Sequence, residues 1–272
     1  MTLRTLLVHA DIDDRFMHRL SLAVAVASAH KARVRVLYAL KAPVSIGLYS
    51  EPMGAPALEL VQQEIDAERA RGEALHQAIE QKMRTEHPDW DWRSVNGLVG
   101  EAIAVAGATA DLIVMGQERD AATTAPVAQV VLSSGRPVLC VPHTGNFADC
   151  GRRVLVAWRG TRESARALHD ALPLLERADH VILFTATDPD SGDMGAADAV
   201  QNLADHGIKA ELRQTTLGDL DAGAAILNAV SDCSVDLLVM GAYGHSRVRE
   251  FVFGGATRTV LRSMTVPTLI SH

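Results

Sequence analysis

The chain has 272 residues, of which 48% are hydrophobic and 22% are charged, and its formal net charge is −7. This length exceeds one typical domain, so two domains are expected. The acidic balance argues against a nucleic-acid or anionic-membrane partner and favours a small molecule or a protein. The three cysteines form no pairable even set and have no metal-ligand spacing, and the chain start lacks a signal-peptide pattern. These features predict a cytoplasmic protein.

Apolar strands alternate with helical segments along the chain, which is typical of a parallel sheet with helices on both faces. In the first half, strands are predicted near residues 3–9, 33–40, 93–99, 111–116 and 137–141. A helix over 57–85 and the segment 41–56 are predicted to be peripheral cover. In the second half, strands are predicted near residues 153–157, 180–186, 209–216, 235–240 and 266–270.

The two halves repeat one another, which indicates a tandem duplication. The clearest match is between Asp111–Gly116 (DLIVMG) and Asp236–Gly241 (DLLVMG). The predicted organisation is a first domain over residues 1–142, a linker over 143–152 that contains Gly145, Asn146 and Asp149, and a second domain over 153–272.

A glycine-rich run, Met240–Thr257, joins a predicted strand to a predicted helix in the second half. Glycines there allow the backbone to bend and approach a ligand, and unpaired N–H groups at the helix start can hold phosphate. The spacing is neither that of the dinucleotide fingerprint nor that of the P-loop. A simpler alternative remains, in which the small residues only permit close packing of strand and helix.

The spacing Gly241-x2-Gly244-x9-Gly254 resembles the nucleotide-binding loop of the universal stress proteins. The resemblance implies an α/β fold of two tandem Rossmann-like domains, each with five parallel strands in the order 3-2-1-4-5. It also implies an adenine nucleotide (ATP, ADP or AMP) as ligand, with Mg²⁺ as a candidate companion ion. The nucleotide-binding residues that it implies are Ala157, Met240, Gly241, Gly244, Gly254, Gly255 and Ala256.

Two positions in the second half depart from the family pattern. Gly255 stands where the family normally has Ser or Thr, and Arg159 stands where nucleotide-binding members have an Asp that contacts the base or ribose. Arg159 and Arg247 are candidate phosphate contacts, because a guanidinium fits phosphate, although solvated surface Arg is the commoner role. Weakened nucleotide binding is therefore one expectation, and loss of binding is another.

The first half shows the opposite departure. Asp11 keeps the family's Asp, but the residues after Gly116 include no second glycine and add the carboxylates Glu118 and Asp120. These carboxylates disfavour phosphate, so nucleotide is expected only in the second half.

The resemblance implies a stress-linked sensor or adaptor. A scaffold that binds no nucleotide and a slow ATP hydrolase remain alternatives. No catalytic or metal-binding residue is assigned, because His245 has no partner at a recognisable spacing. Pairing of the last predicted strands, 137–141 and 266–270, would cover two exposed sheet edges, so we expect an intramolecular pseudo-dimer, with a homodimer as a further expectation.

Overall fold

The computed structural model describes residues 2–40, 55–87, 89–118, 127–187, 194–218, 221–242, 244 and 255–272. The predicted peripheral segment 41–56 lies almost wholly outside them. The first half contains β1 (Thr5–Ala10), α1 (Phe16–His30), β2 (Arg33–Leu40), α2 (Ala55–Glu86), β3 (Trp90–Asn96), α3 (Val99–Gly107), β4 (Leu112–Gly116), α4 (Val127–Ser134) and β5 (Val138–Val141). The second half contains β6 (Arg153–Ala157), α5 (Arg162–Leu175), β7 (His180–Thr187), α6 (Ala196–Asp205), β8 (Ala210–Thr216), α7 (Ala222–Asp232), β9 (Leu237–Gly241), α8 (Gly255–Ser263) and β10 (Thr268–Ser271).

The strands form one ten-stranded sheet in the order β3-β2-β1-β4-β5-β10-β9-β6-β7-β8. Each half therefore has the predicted order 3-2-1-4-5, with parallel pairing inside the half. The strand order reverses between β1 and β4 and again between β6 and β9. Ligands of open α/β sheets bind beyond the carboxyl ends of the strands at such reversals.

The predicted pairing of the last strands is confirmed. β5 and β10 are antiparallel, with Leu139 opposite Leu269 and Cys140 opposite Thr268. All four residues of each strand are buried, because each strand is covered on both faces and paired on both edges. Pairing these edges joins the two five-stranded halves into one sheet and leaves β3 and β8 as its outer strands.

Helices cover both faces of the sheet, as the continuous apolar strands predict. Helices α1, α2, α5 and α6 pack on one face, where Phe16, Ile79 and Leu168 belong to a single buried cluster. Helices α3, α4, α7 and α8 pack on the other face, around residues such as Ile103 and Val260. Within the described residues, no helix has both the length and the apolar character needed to cross a bilayer.

The predicted third strand, 93–99, is misplaced by three residues. The observed β3 covers Trp90–Asn96, and α3 already begins at Val99. Gly97 has a φ of 143°, which turns the chain between the strand and the helix. At the start of β3, Trp92 stacks with Tyr38 and His76, so aromatic packing, rather than a run of aliphatic residues, defines this strand.

Candidate functional site: a cavity in the second half

A cavity of about 230 Å³ opens at the carboxyl ends of β6 and β9, where the strand order of the second half reverses. All the predicted site residues that the structure describes line this cavity: Ala157, Arg159, Met240, Gly241, Gly244, Gly255 and Ala256. Gly254 and Arg247 lie outside the described residues, as does His245. The structure therefore brings together residues that are nearly a hundred positions apart in the chain.

The lining also contains residues that sequence reasoning missed. They come from the β6–α5 turn with the first turn of α5, the end of β7, the segments before α6 and α7, and helices α7 and α8: Trp158, Thr161, Glu163, Ser164, Phe184, Ala186, Thr187, Met194, Leu217, Ala222, Ile226 and Thr257. The spacing Thr161-x-x-Ser164 after a predicted strand is a helix-start signal that could have identified the first group. The apolar residues carry no such signal, because their positions look like ordinary core.

The first turn of α5 forms one wall of the cavity. Thr161 and Ser164 make a reciprocal capping box, in which the Thr161 side chain accepts from the Ser164 N–H and the Ser164 hydroxyl accepts from the Thr161 N–H. A Cβ at Gly241 would lie 2.5 Å from the Ser164 nitrogen, which is closer than atoms can pack. Gly241 is therefore required for the close approach of α5 to β9, in agreement with the packing alternative at this position.

Glu163 places a buried carboxylate at the cavity. The residue is 6% exposed, and a Cβ at Gly244 would lie 2.6 Å from its Oε2 atom. Arg162 donates to the other oxygen, Oε1, at 3.0 Å. Burial opposes ionisation, but hydrogen bonds from the Glu163 backbone, Arg162 and Thr161 outweigh it and hold the pKa of Glu163 below its ordinary value. The side chain is therefore an anion at neutral pH.

The amino terminus of α8 faces the same cavity through Gly255, Ala256 and Thr257. The first N–H groups of a helix lack intrahelical partners and attract anions. Thr257 is 4% exposed, and its hydroxyl makes no hydrogen bond to the described residues. A Cβ at Gly255 would have no heavy atom within 4 Å, so this position has room for a side chain.

The remaining wall is largely apolar and is closed by a contact between two turns. The Trp158 ring nitrogen donates to the Met194 carbonyl at 2.8 Å, which holds the segment before α6 against the β6–α5 turn. Gly160 has a φ of 66°, and a Cβ there would lie 2.5 Å from the same carbonyl oxygen. Phe184 and Ile226 add apolar surface that suits a planar ring.

Arg159 is exposed at the edge of this cavity and makes no ion pair with any described residue. It therefore keeps its hydrogen-bonding capacity for solvent or a ligand. Its location at the cavity agrees with a role as a phosphate contact. Its exposure agrees with the alternative that it is a solvated surface residue.

In the corresponding region of the first half, the described residues place their own side chains against the strand ends. Arg19, 2% exposed, forms an ion pair with Asp11 and also lies against Gly116. Glu118 accepts from the Val127 N–H at 2.5 Å, so its carboxylate occupies the start of α4. Burial raises the pKa of Glu118, and the hydrogen bond from Val127 opposes this shift. A cavity lined by Arg19 and Gly116 has a volume of only about 10 Å³, roughly the space of one water molecule.

One hydrogen bond links Gln117, the residue after β4 in the first half, to α8, the helix whose amino terminus lines the cavity. The Gln117 side chain donates to the Leu261 carbonyl in α8 at 2.8 Å and accepts from the His143 N–H at 3.1 Å. Leu261 lies in the last turn of α8, where carbonyl groups lack helical partners.

The fold and the cavity define a doubly wound α/β protein with a candidate ligand site at a strand-order reversal. Residues 151–272 match the universal stress protein family model. Universal stress protein Slr1230 of Synechocystis sp. is 25% identical over 98% of this chain and 99% of the relative. The second half of the chain is therefore similar to the universal stress protein family, and the full-length relative extends this similarity to the first half.

Two solved structures share the fold over nearly the whole chain. A universal stress protein from Archaeoglobus fulgidus has a TM-score of 0.79 at 16% identity and covers 99% of this chain and 96% of its own. A functionally unknown protein from Pseudomonas aeruginosa has a TM-score of 0.60 at 15% identity, with coverage of 99% and 92%. These likenesses support two tandem Rossmann-like domains.

Proposed function

We propose that this protein binds one adenine nucleotide in the second-half cavity and acts as a sensor or adaptor in a stress response. Similarity to the universal stress protein family supports the stress-response role. The nucleotide assignment depends on one observation above all: the end of β9, Gly244 and the amino terminus of α8 line the same cavity. Backbone N–H groups of α8 would hold phosphate, and the apolar wall of Phe184 and Ile226 would hold the base.

A difference between the starts of α8 and α4 supports binding of one nucleotide, in the second half only. In the second half, α8 presents its first turn to an open cavity, whereas in the first half the Glu118 carboxylate occupies the start of α4. A phosphate at α4 would have to displace that carboxylate and approach it closely, which like charge disfavours. We therefore propose the residue range 153–272 as the nucleotide-binding domain and 1–142 as a partner domain.

A scaffold that binds no nucleotide is the second candidate, and the contact at Gly241 favours it. The need for glycine there is fully met by the approach of the Ser164 backbone, with no ligand. In that case the family-like glycines would serve packing alone.

The test begins with mass spectrometry of the full chain purified without added ligand. Retained adenine nucleotide, followed by a calorimetric stoichiometry of one per chain after stripping and titration, supports the proposal. A stoichiometry of two contradicts the one-site assignment, and no binding in any titration supports the scaffold. Conversion of ATP to ADP and inorganic phosphate during incubation would instead support a hydrolase.

A further inference from the structure

The cavity wall carries one acidic side chain among the described residues that line it, and the proposed function does not use this group. Glu163 is 6% exposed, so its charge is largely shielded from solvent. Arg162 binds Oε1 from a side chain that is 77% exposed, whereas Oε2 lies toward Gly244. Oε2 is thus the carboxylate oxygen nearer to the Gly244 end of the cavity.

This carboxylate lies on the side of the cavity where phosphate groups are expected. The backbone N–H groups at the start of α8 can neutralise one phosphate at short range. Gly244 lines the same cavity and lies against the Glu163 carboxylate, so a longer phosphate chain that reached from α8 toward Gly244 would approach Oε2. Each additional phosphate adds negative charge to a cavity of about 230 Å³ that holds the buried Glu163 carboxylate, whereas the cation Arg159 is exposed at the edge, where solvent screens its charge.

Building on the proposed function, we propose that Glu163 makes the site selective for nucleoside monophosphates over di- and triphosphates. The selectivity arises by exclusion: one phosphate is satisfied at α8, and a longer phosphate chain meets the carboxylate next to Gly244. Repulsion between like charges a few ångströms apart in partly buried surroundings changes affinity by roughly tenfold or more.

The experiment measures the affinities of AMP, ADP and ATP for the stripped full chain by calorimetry, with a chelator present so that no divalent cation bridges the charges. We expect AMP to bind at least about tenfold more tightly than ATP, with ADP between them. In Glu163→Gln, which keeps the size and removes the charge, ATP affinity is expected to rise about tenfold and AMP affinity to change much less. Glu101→Gln, in the first turn of α3, is the matched control and is expected to leave the ratio unchanged.

A second variant keeps the test decisive if Glu163→Gln fails to fold. Arg162→Ala removes the exposed partner of Glu163 without touching the buried carboxylate, and it is expected to widen the preference for AMP. Equal binding of AMP and ATP by the unmodified chain overturns the selectivity alone, as does an AMP-to-ATP ratio that neither variant changes. Absence of binding by all three nucleotides overturns the proposed function together with the selectivity.

Discussion

The two halves share one strand order but differ at the place where a ligand would bind. In the second half, the reversal between β6 and β9 carries an open cavity with Arg159 at its edge. Among the described residues of the first half, Arg19 pairs with Asp11 and lies against Gly116, and Glu118 accepts from the Val127 N–H at the start of α4. A duplicated domain can therefore place its own charged side chains, here Arg19 and Glu118, where its counterpart leaves room for a ligand.

The largest expected effect comes from obstructing the open site. In Gly244→Val, the new side chain would collide with the Glu163 carboxylate, since even a Cβ would lie 2.6 Å from it. We expect nucleotide binding to fall below detection in calorimetry, a loss of more than about a hundredfold. Thermal unfolding should show a folded protein, and unchanged affinity in this variant would contradict the site assignment.

The first half provides the next test, because the buried guanidinium of Arg19 pairs with Asp11 and lies against Gly116. Arg19→Ala removes the partner of Asp11 and leaves an unfilled space beside Gly116. We expect a loss of about 1–3 kcal/mol in the free energy of unfolding, since Asp11 is partly exposed and water can solvate it. Denaturant unfolding measures this, with the exposed Arg84→Ala as the control. Nucleotide stoichiometry should stay at one.

An added hydroxyl should strengthen the open site. Gly255→Ser restores the residue type that the family normally has there, and the structure shows free space around the new Cβ. One charge-assisted hydrogen bond to phosphate is expected to improve binding by about 1–3 kcal/mol. Gly255→Ala separates the hydroxyl from the general effect of a side chain on the helix start. A gain in both variants would mean that phosphate contact is not the cause.

The link between the halves is expected to have a smaller effect. Gln117→Leu leaves the Leu261 carbonyl and the His143 N–H without their partner. We expect a loss of about 1 kcal/mol in the free energy of unfolding, measured by denaturant titration. If α8 is held in place by this contact, hydrogen exchange at Val260 and nearby amides should become faster. Unchanged exchange would show that the contact is dispensable.

The carboxylates of Glu163, which is buried, and Glu118, which is partly buried, should respond oppositely to pH. The pKa of Glu163 is lowered in the folded state, so its stabilisation is present above its ordinary value of 4.5 and is lost as pH falls through the folded-state pKa. The pKa of Glu118 is raised, so its contribution becomes less favourable as pH increases from 4.5 through the folded-state pKa. Melting temperatures from pH 4 to 8 should show Glu163→Gln losing stability most at neutral pH. Glu118→Gln should gain most there, and parallel pH profiles for both variants would refute the contrast.

Much of the architecture could be predicted from the sequence, because strands and their repetition produce patterns among residues that are close along the chain. Apolar runs such as Leu6–Val8 and Val154–Val156 define strands that are buried on both faces, and their repetition predicts the duplicated domain. The family-like glycines then locate the candidate site at the end of β9. The end of β3 was mispredicted because Gly97 and the aromatic contacts of Trp92, rather than an apolar run, delimit that strand.

The sequence by itself predicted the alternating strands and helices, the duplication and the pairing of the two halves, and the family resemblance added the strand order and the half in which nucleotide is expected. Only the tertiary structure decided what fills or lines each strand-order reversal. In the sequence, Arg19 looks like an ordinary helical residue and Glu163 looks like a surface acid. The tertiary structure shows that Arg19 lies against Gly116 and that Glu163 lies against Gly244. The physical reason is distance along the chain. Hydrophobic periodicity depends on residues that are close in sequence, whereas Glu163 and Gly244 come together only because β6 and β9 are neighbouring strands of the sheet.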